Sequence, residues 1–151
     1  MTPHEHRTSL AERTSPKQTP RLRLKPKAPH SGFVDGAWWP HTSNLSNELP
    51  DLLAVLSVRL GRIDRVLYKV DEWSQAPTKL ATGGRRVHLD GYRRQPRNTI
   101  EIVGLDRDNI VLLTVPANTD AAEAHSALMS AALPNNRSTV LDILTTAQHA
   151  D

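Results

Sequence analysis

The sequence predicts an α+β fold, a two-layer sandwich in which a mainly antiparallel sheet of about five to six strands carries two to three helices on one face. Three observations predict it. Leucines recur at three- and four-residue steps over 45–60, the spacing of an amphipathic helix. Several short stretches alternate apolar and polar residues between turns rich in Gly, Pro, Asn and Asp. The resulting order is one strand, one helix, five strands and two helices, with no helix between successive late strands.

The first strand is Arg21-Leu22-Arg23-Leu24-Lys25, with the leucines on one face and the cations on the other, ended by Pro26. Residues 27–44 read as a loop punctuated by Pro29, Gly32, Gly36 and Pro40. The helix that follows places Leu45, Leu49, Leu52, Leu53, Leu56 and Leu60 on one side, with Ser43 or Ser46 as its cap and Gly61 as its stop. Residues 62–73 alternate again through Ile63, Val66, Tyr68 and Val70, with one irregular step that suggests a bulge. Gly83-Gly84 predicts a tight hairpin joining 79–82 to 85–89. Two further strands are expected over Thr99–Gly104 and Asn109–Val115. The second is apolar on both faces and so belongs at the centre of the sheet, with a helix on one side. Asn118 or Thr119 is expected to cap an alanine-rich helix over Ala121–Leu133, and Ser138 a last short helix through Ala147.

Charge divides the chain more sharply than hydropathy does. Residues 1–31 hold seven Lys/Arg and two Glu, whereas 32–151 hold twelve Lys/Arg and fourteen Asp/Glu. The overall charge of +3 is therefore set by the N-terminal segment. Residues 1–20 are rich in Thr, Ser, Pro and basic residues and lack any apolar period, so a disordered basic tail is expected there. A single domain is expected over 21–133, and a short helix and tail over 134–151. The chain has no cysteine, which removes disulfides, thiolate zinc sites and cysteine nucleophiles and fits a reducing cytoplasm. It has no apolar run of membrane-spanning length and no apolar signal centre, so a soluble cytoplasmic protein without membrane contact is expected.

Two stretches stand out as candidate binding surfaces. The first is Trp38-Trp39-Pro40, two of the three tryptophans side by side. On extended backbone adjacent side chains diverge, so the pair serves either as a stacking platform for a base or peptide, or as one core anchor and one indole folded over the loop. The second is the basic stretch 79–97, where Lys79, Arg85, Arg86, Arg93, Arg94 and Arg97 face the single acid Asp90 and enclose Tyr92. Arginine interleaved with aromatics suits phosphate tracking with base stacking. The same charges could instead pair with core carboxylates, and Arg85 and Arg86 must point to opposite faces of a strand. Arg21 and Arg23 on the first strand complete the basic set.

Templates for catalysis fail. The chain has no Gly-x-Ser-x-Gly elbow, no phosphate loop and no dinucleotide fingerprint. Asp71 and Glu72 are adjacent on a presumed strand and so diverge, the wrong geometry for paired acid–base work. His4 and His6 lie in the tail, and His88 and His125 read as surface residues rather than ligands. No catalytic residue, metal site or cofactor is expected.

Together, RLRLKP, GAWWP, ELPDLL, the strand carrying Tyr68 and Trp73, GGRRVHLDGYRRQPRNTI and the TVPANTD helix entry resemble a family of small actinobacterial proteins defined only as a domain of unknown function. The likeness runs from about Arg21 to Leu133. It implies an actinobacterial cytoplasmic host and a single domain, and it brings no activity, cofactor or site residue.

These observations point to a non-enzymatic binding module that contacts nucleic acid or another polyanion. Its expected contact residues are Arg21, Arg23, Trp38, Trp39, Arg85, Arg86, Tyr92, Arg93, Arg94 and Arg97. The alternative is a protein-interaction or regulatory adaptor, or a self-associating protein such as a homodimer, that docks through the Trp-Trp-Pro loop. A small-molecule pocket between sheet and helices is neither favoured nor forbidden by the sequence.

Overall fold

Leu45, Leu49, Leu52, Leu53, Leu56 and Leu60 fall on one side of helix α1 (Leu45–Leu60), and all six are buried. The computed structural model containing this helix describes residues 19–26, 34–133 and 143–144. The expected tail, up to residue 18, lies outside the described residues. So do 27–33 and, apart from Ile143 and Leu144, the expected C-terminal helix and tail over 134–151.

Asn44 caps α1 in place of the expected Ser43 or Ser46, its side-chain oxygen accepting the Asn47 N–H at 3.3 Å. Ser43 is engaged with Ser74 across 3.3 Å, and Ser46 already lies within the helix. Glu48 braces the same end by accepting the His41 N–H and the Thr42 hydroxyl, both at 2.9 Å. Gly61 ends the helix as expected, donating its N–H to the Ser57 carbonyl at 2.8 Å.

Seven strands form one mixed sheet, more than the five to six expected. They are β1 (Arg21–Leu24), β2 (Gly36–Trp39), β3 (Ile63–Lys69), β4 (Lys79–Thr82), β5 (Arg85–Tyr92), β6 (Thr99–Gly104) and β7 (Asn109–Thr114). Their order across the sheet is β1-β2-β7-β6-β3-β5-β4. β2 runs parallel to β7, and β3 parallel to β5; the other four pairings are antiparallel. The additional strand is β2, within the stretch expected to be a loop. The bulge near the start of β3 is present, as a register shift between Ile63 and Arg65 against β6. Gly83 and Gly84 turn the β4–β5 hairpin with φ of 59° and 76°, the left-handed pair that a two-residue reversal needs.

The helices lie on opposite faces of the sheet, which corrects the expected one-faced sandwich. Trp38, Val66, Tyr68, Val87, Leu89, Ile100, Ile102, Ile110 and Leu112 face α1 in one core. Ala37, Leu113 and Val115 face helix α2 (Ala121–Ala131) in a second, together with Ala124, Ala127, Leu128 and Ala131. This is why 110–115 is apolar on both sides: β7 has a helix over each face. α2 starts after Asp120, whose carboxylate accepts the Ala122 N–H at 3.1 Å, rather than after Asn118 or Thr119. The Thr119 N–H is already committed to the Pro116 carbonyl at 3.0 Å.

α2 packs on β1 and β2. Among the described residues, no helix covers the same face over β3, β5 and β4, so His88 and Tyr92 are exposed there. No helix of the described residues is long and apolar enough to cross a membrane.

Gly36 sits opposite Leu24 where β1 meets β2. A Cβ there would collide with the Arg23 carbonyl oxygen and lie 2.9 Å from the Leu24 Cα. Gly36→Ala is therefore expected to force β1 off the sheet and lower stability by about 2–3 kcal/mol, read as a shifted midpoint in urea unfolding. An unchanged midpoint would argue against this strand pairing.

Candidate functional site

The two adjacent tryptophans part company, one to each core. Trp38 is 2% exposed and stacks on Trp73, with ring centroids 5.6 Å apart and planes inclined by 21°. Trp39 points to the other face, where the Arg21 guanidinium lies 3.5 Å over its ring. Arg21 also donates to the Trp39 carbonyl at 2.9 Å and the Pro40 carbonyl at 2.7 Å. The Trp39 indole N–H donates to the Ala117 carbonyl at 3.3 Å. Trp38, Trp39 and Arg21 are thus engaged in holding β1, β2 and the exit from β7 together.

The structure separates the arginines grouped in sequence reasoning. Arg21 and Arg23 sit on the edge strand β1, five strand steps from β5, a separation of about 24 Å. Arg85 lies on the α1 face, in line with buried Val87 and Leu89, and Arg86 on the opposite face with His88, Asp90 and Tyr92. Arg93, Arg94 and Arg97 follow β5 at its far end. All five of these arginines and Lys79 are exposed, and among the described residues none of their side chains forms an ion pair. Asp90, the one acid of this stretch, is taken by Arg65 from β3 at 2.9 Å. The arginines of 85–97 therefore do not pair with core carboxylates.

β2, β3, β5 and β7 all point the same way, so their carboxyl ends gather at one margin of the sheet. A cavity of about 520 Å³ lies there, walled by Pro40, Glu72, Trp73, Asn98, Val115 and Pro116 among others. Glu72 belongs to a single 3₁₀ turn, Val70–Glu72, rather than to the strand expected over 62–73. One carboxylate oxygen, Oε2, accepts the Asn98 N–H at 2.8 Å. The other, Oε1, is buried without a hydrogen-bond partner in the protein, as is the Trp73 indole N–H. A polar atom buried without any partner costs about 1–3 kcal/mol.

Asn98 closes the inner wall. Its φ of 55° is left-handed, a conformation that Asn tolerates better than most residues. In that conformation its carbonyl accepts the Thr114 N–H at 2.7 Å and its amide donates to the Thr114 carbonyl at 3.2 Å. Burial pushes the Glu72 carboxyl above its ordinary value; the Asn98 N–H, Lys69 and Arg97 pull it back, and Asp71 adds to the rise. None of Glu72, Trp73 or Asn98 was singled out from the sequence as a binding residue. The available signal was an acid followed by tryptophan at a strand end, ahead of an Asn whose left-handed turn only the folded chain reveals. Among the described residues no cluster of three or more His, Asp or Glu could hold a metal, and His88 and His125 are exposed. His4 and His6 lie outside the described residues.

The raised Glu72 carboxyl has a definite sign in pH-dependent stability. The folded chain holds this proton more tightly than the unfolded chain. Stability is therefore lost as pH rises from the ordinary glutamate value of 4.5 through the higher folded value. Glu72→Gln keeps the bond to Asn98 and removes the charge. Its melting temperature relative to the wild type is expected to be higher at about pH 8 than at about pH 4. A difference that does not change with pH would mean that the carboxylate is freely solvated.

No curated protein and no solved structure matches the chain. One family model does, over residues 21–131, a span that contains the seven strands and helices α1 and α2 given above, the cavity and the arginines of β5 and its following turn. The chain belongs to that family, described as a family of unknown function, DUF5994.

Proposed function

We propose that the protein is a non-enzymatic cytoplasmic module that binds single-stranded nucleic acid along the open sheet face of β3, β5 and β4. The observation that carries the reading is the unpaired state of its exposed cations. Lys79, Arg86, Arg93 and Arg94 flank β5 with no ion pair among the described residues, while the local acid Asp90 is occupied by Arg65. A protein tolerates such unneutralised neighbours at a cost in self-repulsion, and a polyanion relieves it.

The shape suits an extended strand. β5 has eight residues, a lane of about 25 Å along its open face. Arg86 stands near one end and Tyr92, 47% exposed, at the other, with Arg93 and Arg94 just beyond. Lys79 lies beside His88 in register on the neighbouring strand, whereas Lys69, beside Tyr92, is held by Asp71 and the Arg93 carbonyl. Tyr92 supplies a ring for base stacking and the cations supply attraction to phosphate. The Trp-Trp-Pro loop drops out of this surface because Trp38 is buried and Trp39 lies under Arg21. The adaptor alternative loses the same paired indoles.

Neighbouring arginines on opposite faces make a sharp test. Binding of a fluorescein-labelled thymidine oligomer of about twelve nucleotides to the full chain would be followed by anisotropy across a salt series. Arg86→Ser should lower the magnitude of the log–log salt slope by about 0.7, and Tyr92→Ala should weaken binding by roughly tenfold. Arg85→Ser, on the other face, should do little. Equal losses for Arg85→Ser and Arg86→Ser, or affinity indifferent to salt, would count decisively against the lane.

A further inference from the structure

We infer that the cavity at the carboxyl ends of β2, β3 and β7 is a binding site for a small neutral molecule that carries an N–H donor beside a carbonyl acceptor, such as an amide, lactam or ureide. The inference does not rest on the nucleic-acid lane, since neither of the two atoms that define the ligand belongs to it.

Two atoms define the ligand's chemistry. Glu72 Oε1 needs a donor and the Trp73 indole N–H needs an acceptor, and the protein supplies neither. They belong to consecutive residues that line one cavity. A molecule with both functions satisfies the two together. Its net charge follows from the surroundings. An anion would meet the Glu72 carboxylate, while a cation would meet Lys69 and Arg97, both near enough to act on Glu72. A neutral donor–acceptor group avoids both conflicts. The volume, about 520 Å³, falls in the range of small-molecule sites, and Pro40, Trp73, Val115 and Pro116 give it the apolar lining such sites use.

The site is built rather than incidental. Trp73 is fixed from behind by its stack on Trp38. Glu72 is fixed through Oε2 by Asn98, which is itself clamped to Thr114 from both its carbonyl and its amide. Thr42, Ser43 and Asn118, all exposed, line the same cavity. Both atoms are buried, so a bound molecule reaches them by a local shift of the lining that the new hydrogen bonds offset.

The test titrates benzamide and uracil into the isotopically labelled full chain and follows the Trp73 indole N–H resonance, with benzoate and benzylamine as charged controls. Probes this small bind weakly, so the series extends to about 20 mM. The expected result is a saturable shift of the Trp73 resonance with the neutral probes and little shift with either control. In Glu72→Gln the side-chain oxygen is retained by Asn98, which leaves an NH₂ donor where the ligand's donor must sit. Binding should weaken by at least roughly tenfold in that variant. Trp73→Phe keeps an aromatic ring against Trp38 and deletes only the N–H. Read through the Asn98 amide, it should lose roughly tenfold too. No saturable shift with either neutral probe, tighter binding of a charged control, or unchanged affinity in both variants would overturn the assignment.

Discussion

The seating of β2 between β1 and β7 is the constraint on which the rest of the molecule depends. A four-residue strand in that position must alternate, so Gly36 and Trp38 face α1 while Ala37 and Trp39 face α2. One strand thereby enters both cores. Trp38 carries the larger consequence, because its ring backs Trp73 and so fixes the turn that presents Glu72. Its carbonyl accepts the Val115 N–H at 2.9 Å and holds the exit of β7 beside that turn. Trp39 does the matching work on the second face, where its indole holds Ala117 and its ring and carbonyl hold Arg21. The same paired indoles that look like a ligand platform in the sequence are the frame of the cavity.

The cations fall into two populations with different physics. Arg21, Arg59 and Arg65 are consumed by the fold: Arg21 on Trp39 and two carbonyls, Arg59 on the Lys25 carbonyl at 3.1 Å, and Arg65 between Asp64 and Asp90. The guanidinium fork suits such multiple acceptors, and the two carboxylates on Arg65 also offset its charge. The arginines around β5 make no ion pair among the described residues, and Arg93 and Arg94, adjacent in sequence, lie within a Debye length of each other, about 10 Å at moderate salt. Their fields add instead of cancelling. Arg65 strengthens the effect by occupying Asp90, the acid that would otherwise neutralise part of the lane.

Much of the fold was legible in the sequence wherever the signal was local. The leucine spacing of α1, the Gly83-Gly84 reversal, the β6 and β7 stretches and the bulge in β3 each rest on residues a few positions apart. What failed was non-local. β2 has apolar or small residues on both faces, so it lacks the alternation that marks a half-buried strand, and its partners lie on β1 and on β7, more than seventy residues downstream. Parallel pairing is likewise a property of the assembled sheet, and it decides that the helices occupy opposite faces. The caps shifted by one or two residues, to Asn44 with Ser43 engaged by Ser74, and to Asp120, whose carboxylate accepts the Ala122 N–H. Of the candidate binding residues, Arg86 and Tyr92 lie on β5 with Arg93 and Arg94 just after it, whereas Arg21 and Arg23 lie across the sheet and the two tryptophans serve the cores.

The topology also explains why both candidate surfaces meet one margin of the sheet. In a purely antiparallel sheet, strand ends of opposite polarity alternate along each margin. Here the parallel pairs β2–β7 and β3–β5, joined through the antiparallel β6, bring four carboxyl ends to the same side. Each strand must then leave the sheet by a separate excursion: Pro40 after β2, the Glu72 turn after β3, Arg93-Arg94 after β5 and Pro116-Ala117 after β7. Such diverging exits open a crevice where strand order and chain order part, the usual place for ligands in open sheets with helices on both faces. β6 begins there between β7 and β3, and Asn98 just before its start supplies the bonds that tie the crevice wall to the sheet. The cavity and the basic turn are therefore products of one strand arrangement, and the residues that vary its chemistry, Glu72, Trp73 and Arg93, are those the strands release as they end.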